Sequence, residues 1–190
     1  MTNNTLVRIA CFGDSLTEGY GLRPDEALPV ILEDMLRNEG LRVSCLNFGI
    51  SGDTSGDGLI RINEMTEAEP DAAIIEFGAN DCFVGDSIAE VTANLSAIIE
   101  RIQKLDIPIL LVGITALTNM DDSYKARFDP IFKKLAKKYD IQLFPDILSP
   151  YFGNSMLTLM DGMHPNEQGV EAIARSLFPQ VLELAKKAGA

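Results

Sequence analysis

Five short apolar runs, each followed by polar loop and helix-length amphipathic sequence, set the limits on how this chain folds. The runs cover residues 7–12, 42–48, 72–77, 108–114 and 141–144. Each is of strand length and apolar at successive positions, the pattern of a strand buried on both faces of a parallel sheet. Between them lie helical patterns. Residues 25–39 carry Leu28, Ile31, Leu32, Met35 and Leu36 at helical spacing and stop at Gly40. Residues 58–66 read as a short helix, 90–105 present the stripe Val91, Leu95, Ile98, Ile99 and Ile102, and 123–139 form the next helix. After a long loop, Pro165 is expected at an early position of a last helix running to about residue 188. Parallel strands need crossover connections, and helical crossovers cover both faces of the sheet. The expected fold is a three-layer α/β/α sandwich with a five-stranded parallel sheet, flavodoxin-like in outline. It is expected to be a single domain over residues 1–190, a length sufficient to bury a full core.

Charge narrows the partners. The formal net charge is -12, which repels phosphate backbones and anionic lipid surfaces, so neither nucleic acid nor stable membrane association is expected. No apolar run reaches membrane-spanning length. The start of the sequence lacks the regions of a signal peptide. The expectation is a cytoplasmic protein as the sequence stands, and a periplasmic or secreted one where a leader has been removed. Cys11, Cys45 and Cys82 are odd in number and unrelated in spacing, matching neither a disulfide framework nor a zinc site, so no metal or cofactor is expected.

In sheets of this kind, sites form at the carboxyl ends of the strands. The segments there are Gly13-Asp14-Ser15-Leu16, Gly49-Ile50-Ser51-Gly52-Asp53-Thr54, Gly78-Ala79-Asn80-Asp81 and, after the fifth strand, Asp161-Gly162-Met163-His164-Pro165. A serine hydroxyl is a poor nucleophile until a base takes its proton, and His164 is the one imidazole in the chain. Three residues before it, Asp161 can turn back and accept from Nδ1, leaving Nε2 for Ser15. Ser15 follows a strand where backbone N–H groups face outward, although a serine there also serves as a simple helix cap. Gly52 fits a tight turn or a bare amide that approaches a ligand, and Asn80 fits a turn residue or an amide donor aimed at an oxyanion.

These four blocks, GDSL (13–16), N-x-G-x-S-G-D-T (47–54), G-A-N-D (78–81) and D-G-M-H-P (161–165), resemble those of the SGNH (GDSL) hydrolase family. They stand in the family's order and span nearly the whole chain. The resemblance is greatest to its bacterial TesA-like branch of thioesterase I, arylesterase and lysophospholipase. It implies Ser15 as nucleophile and Asp161 and His164 as the rest of a triad. It also implies an oxyanion hole made by the Ser15 amide, the Gly52 amide and the Asn80 side chain. One departure is Ala79, where this branch usually has a second glycine before the asparagine. The lipase elbow G-x-S-x-G is missing because position 17 is Thr, which disfavours a standard α/β-hydrolase.

The expected reaction is hydrolysis of small esters or acyl thioesters of short to medium chain through an acyl-enzyme. Deacetylation of carbohydrates and acyl transfer are alternatives on the same residues. Phe83, Val84, Leu117 and Met120 lie on two loops, 82–86 and 115–123, where an acyl chain could rest. Two other readings compete. Asp53 to Glu64 nearly matches the calcium loop D-x-[DN]-x-[DN]-G-x₅-E, but Arg61 falls at the ninth position and a strand precedes it. A non-catalytic flavodoxin-like module would have no need of the Asp-x-x-His-Pro block. Cys82 as an alternative nucleophile is weighed against a small buried cysteine.

Overall fold

A computed structural model describes residues 6–117 and 119–190. The five strands are β1 (Val7–Gly13), β2 (Val43–Gly49), β3 (Ala72–Glu76), β4 (Ile109–Val112) and β5 (Gln142–Phe144), all parallel, in the order β2-β1-β3-β4-β5. Every residue of β3 and β4 is buried, which is why their sequences are apolar without alternation. The helices are α1 (Ser15–Glu18), α2 (Leu28–Asn38), α3 (Ser55–Thr66), α4 (Ala79–Val84), α5 (Ile88–Gln103), α6 (Asp122–Phe128), α7 (Pro130–Tyr139) and α8 (Glu167–Lys187). Helices α2 and α8 pack together on one face of the sheet, while α3, α5 and α7 form the opposite layer. No described helix is long and apolar enough to cross a membrane.

Several element boundaries differ from the sequence reading, each for a local reason. The helix expected over 25–39 begins as a 3-10 turn at Pro24–Glu26, passes through an extended Ala27, and restarts as α2. Pro29 lacks an N–H and so sits in a first turn rather than a helix interior. For the same reason the expected helix over 123–139 divides into α6 and α7 at Pro130. Helix α3 starts three residues before position 58 because Thr54 and Asp57 form a capping box. Pro165 is not within the last helix. It pairs in a β-bridge with Thr158, and Asn166 caps α8 by accepting from the Gly169 amide at 3.0 Å.

The topology fixes where chemistry can gather. Strand β1 sits between β2 and β3, so the chain leaves it in opposite directions, opening a crevice at the strand ends. Gly13 is in register with both Gly49 and Glu76. The segments after β1, β2 and β3 therefore emerge level with one another.

Candidate active site

The segment after β1 is shaped by its glycine. A Cβ on Gly13 would lie 2.2 Å from Thr17 Oγ1 and 2.6 Å from the Glu76 carbonyl oxygen, so only glycine lets α1 fold back tightly. Asp14 caps that short helix by accepting from the Leu16 amide at 3.0 Å. Ser15 follows at 8% exposure, with its hydroxyl at the surface of a cleft.

Across the cleft, residues 161–164 form one turn around Gly162, whose φ of +69° suits glycine. Asp161 Oδ1 accepts from the Met163 and His164 amides at 2.9 and 3.0 Å, which fixes the carboxylate. Its Oδ2 lies 2.7 Å from His164 Nδ1, and His164 Nε2 lies 3.1 Å from Ser15 Oγ. With its proton on Nδ1, the imidazole donates to Asp161 and accepts from the Ser15 hydroxyl. The Leu159 amide donates to the His164 carbonyl at 2.8 Å, and the Tyr151 hydroxyl donates to the Met163 carbonyl at 3.0 Å, anchoring the turn. Tyr20 lays its ring against the imidazole, centroids 4.4 Å apart.

The other expected donors lie on the loop after β2 and at the start of α4. Gly52 has a φ of +89°, and its amide, like that of Ser15, meets no acceptor among the described residues. Asn80 Nδ2 donates to the Asp53 carbonyl at 2.8 Å and lies 3.3 Å from Asp14 Oδ2. Helix α4, which carries Asn80, is tied to the start of α3 by the buried Asp81, which accepts from the Ser55 amide and hydroxyl. The Glu18 carboxylate accepts from the Ser51 amide at 2.8 Å, joining the Gly52 loop to α1.

Buried carboxyls give the site its electrostatics. Desolvation lifts the Asp14 carboxyl to about 6 against the hydrogen bond from the Leu16 amide. Glu76, wholly enclosed and beside Asp14, is pushed well above the usual carboxylate range. Asp161 behaves in the opposite way. Its partial burial raises it, but the hydrogen bonds from the His164 ring and the Met163 and His164 amides outweigh that and leave it below its ordinary value, an ionised partner for imidazole.

Beside Ser15 opens a cavity of about 260 Å³, predominantly apolar, whose walls include Leu16, Phe83, Leu117, Leu148, Tyr151 and Phe152. Phe83 and Leu117 stand where the sequence put them. Met120 packs half-buried against the core, and neither it nor Val84 is among the lining residues of this cavity. Cys82 is buried, its thiol raised by desolvation and accepting from the Leu117 amide at 3.4 Å. In the near-match to a calcium loop, Asp53 is paired with Arg61 and Asp57 accepts from Thr54, so these carboxylates turn to separate partners. Sequence reasoning did not single out Tyr20, Glu76, Arg61 or the wall formed by Leu148, Tyr151 and Phe152. Glu76 left a legible signal, the one charge in an otherwise apolar strand.

Comparison with known proteins identifies the family. A model of the GDSL-like lipase/acylhydrolase family matches residues 11–172. The chain belongs to that family. Among curated proteins it is 31% identical to an arylesterase of Vibrio mimicus, over 93% of this chain and 88% of that one. It is 30% identical to thioesterase 1/protease 1/lysophospholipase L1 of Escherichia coli K12, over 90% of this chain and 82% of the other. The solved structure of AlinE4, an SGNH-hydrolase family esterase, superposes with a TM-score of 0.80 at 39% identity, covering 95% of this chain and 97% of that one. This member of the GDSL family is thus a carboxylic ester hydrolase on an SGNH fold.

Proposed function

We propose that the protein hydrolyses carboxylic esters and acyl thioesters of short to medium acyl chain through an acyl-enzyme on Ser15. The observation that carries this reading is the unbroken line from Ser15 Oγ to His164 Nε2, 3.1 Å, and from His164 Nδ1 to Asp161 Oδ2, 2.7 Å. His164 takes the hydroxyl proton as Ser15 Oγ bonds to the acyl carbon, and Asp161 stabilises the imidazolium. The negative charge on the former carbonyl oxygen is met by the Ser15 and Gly52 amides and by Asn80 Nδ2, which turns one hydrogen from Asp14 Oδ2 to the oxyanion and keeps the other on the Asp53 carbonyl. His164 then gives its proton to the departing alcohol or thiol, and water, deprotonated by the same ring, releases the acid. The chain supplies every proton transfer from its own groups.

Two things support the substrate class. The relatives are named for aryl esters, thioesters and lysophospholipids, which share a carboxylic acyl group and differ in the leaving group. The cavity beside Ser15 is apolar and of limited volume, suited to a chain rather than to a sugar. Carbohydrate deacetylation uses the same residues but draws no support from those walls, and acyl transfer would differ only in an alcohol replacing water at the acyl-enzyme.

A fluorophosphonate probe tests the nucleophile. The wild type should label stoichiometrically at Ser15, and Ser15→Ala should lose labelling and hydrolysis of p-nitrophenyl butyrate while keeping its circular dichroism. Undiminished labelling of that variant would move the nucleophile elsewhere.

A further inference from the structure

Arg61 lies behind the site, on α3, with its side chain only 10% exposed. A guanidinium so enclosed has to satisfy its donors, and this one does so on three acceptors in two segments, the end of β1 and the stretch 48–53 at and beyond the end of β2. Its Nε donates to the Asp53 carboxylate, Nη1 to the Phe48 carbonyl at 2.9 Å, and Nη2 to the Gly13 carbonyl at 2.9 Å. The guanidinium carbon stands 4.6 Å from the centroid of the Phe12 ring, so the plane is held by packing as well as by hydrogen bonds.

Each of those three acceptors sits next to a proposed oxyanion donor. Gly13 is two residues before the Ser15 amide. Asp53 directly follows Gly52, and its carbonyl receives the Asn80 amide at 2.8 Å. Phe48 is the penultimate residue of β2, the strand from which the Gly52 loop departs. We infer that Arg61 is a positioning residue for the oxyanion hole, its planar fork setting the spacing between the Ser15, Gly52 and Asn80 donors. The inference rests on the oxyanion role proposed above. It goes beyond that role by assigning the register of the donors to a residue that does not touch substrate.

Lysine keeps the charge but offers one compact ammonium in place of a rigid fork, so it cannot hold three acceptors at once. Donors misplaced by a fraction of an ångström to about 1 Å lose transition-state stabilisation, up to about 10²-fold. Arg61→Lys should therefore lower kcat on p-nitrophenyl butyrate by about 10- to 100-fold with KM changed less than about threefold. The deciding measurement is a double-mutant cycle with Asn80→Ala. In the Asn80→Ala background one of the three donors is already gone, and adding Arg61→Lys should cost several-fold less than it does in the wild type. Asp53→Asn, which keeps the carbonyl that holds Asn80 but removes the charge facing Arg61, should behave in the same way and carries the test if Arg61→Lys fails to fold. Equal losses in both backgrounds, or a loss confined to KM, would overturn the positioning role and leave Arg61 as a structural clamp. An Asn80→Ala variant with unchanged kcat would instead overturn the oxyanion reading on which it rests.

Discussion

Asp14 and Glu76 enclose two carboxyl groups against each other one residue from the nucleophile, with the Asp14 amide donating to Glu76 Oε2 at 3.3 Å and the Thr17 hydroxyl donating to the same oxygen at 2.9 Å. Both are raised, Asp14 to about 6 and Glu76 well above its usual range, chiefly by desolvation. Two adjacent buried carboxylates do not both ionise cheaply, which favours one proton shared between them.

That proton links stability to pH. A group whose folded pKa is raised contributes stability that is complete below its unfolded value and is lost as pH climbs through the folded one. Wild-type stability should therefore decline from about pH 4 upward on account of this pair. Glu76→Gln cannot ionise, and its amide oxygen still accepts from Thr17. Urea unfolding should find the variant gaining on the wild type between pH 5 and pH 8, by about 1 kcal/mol or more. A difference that stays constant over that range would show that the pair does not share a proton.

Asp161→Asn keeps the size of the side chain but removes the charge, and an amide can turn its NH₂ toward Nδ1 and favour the wrong tautomer. We expect kcat/KM to fall by roughly 10³-fold or more with little change in Tm. Because Asp161 is held below the ordinary carboxylate range, it stays ionised throughout the acid limb of the wild-type profile. Protonation of Asp161 should therefore leave no step of its own in that limb. An acid-limb step in the wild type that Asp161→Asn removes would contradict this assignment.

Acyl chains should gain from the cavity until it is filled. Each buried methylene contributes about 0.8 kcal/mol, so kcat/KM on p-nitrophenyl esters should rise several-fold per carbon and then level off at medium length. The cavity encloses about 260 Å³ and lies open at its rim, where Phe83 is 62% exposed. No rate jump is expected at the critical micelle concentration. A rise continuing through palmitoyl esters would refute the bounded cavity.

Gly49 offers a test of packing rather than chemistry. A Cβ there would lie 2.2 Å from the Glu18 amide nitrogen and 2.6 Å from its Cα, both backbone atoms of or beside the turn that carries Ser15. Gly49→Ala should destabilise the fold by about 1–3 kcal/mol and slow fluorophosphonate labelling, because α1 must move to relieve the overlap. Wild-type stability and labelling in this variant would mean that α1 is not held against β2.

The strands and the four site blocks were legible in sequence for one reason, which is that buried parallel strands leave uninterrupted apolar runs and functional residues follow them directly. Helix ends were less legible. Pro29 and Pro130 each interrupt a continuous apolar stripe, and periodicity carries no record of the interruption. Helices α1 and α4 are too short to show a period at all, so their sequences read as loops. The capping box of Thr54 and Asp57 resembled a metal loop because short acidic spacings serve both purposes. Contacts that close over long separations, such as Tyr20 on His164 or Arg61 on Gly13, depend on the register of neighbouring segments, which no local pattern encodes.

The proposed acid and base, Asp161 and His164, occupy one turn just ahead of α8, while the proposed nucleophile and oxyanion donors all lie in the first 80 residues. On the ribosome, then, the nucleophile and its anion-binding groups are synthesised well before anything that can activate them. The final helix, by packing on α2, delivers Asp161 and His164 together as a single unit. Hydrolytic activity is consequently a report on the last step of chain assembly, and a nascent chain halted before that turn would carry a serine without a base.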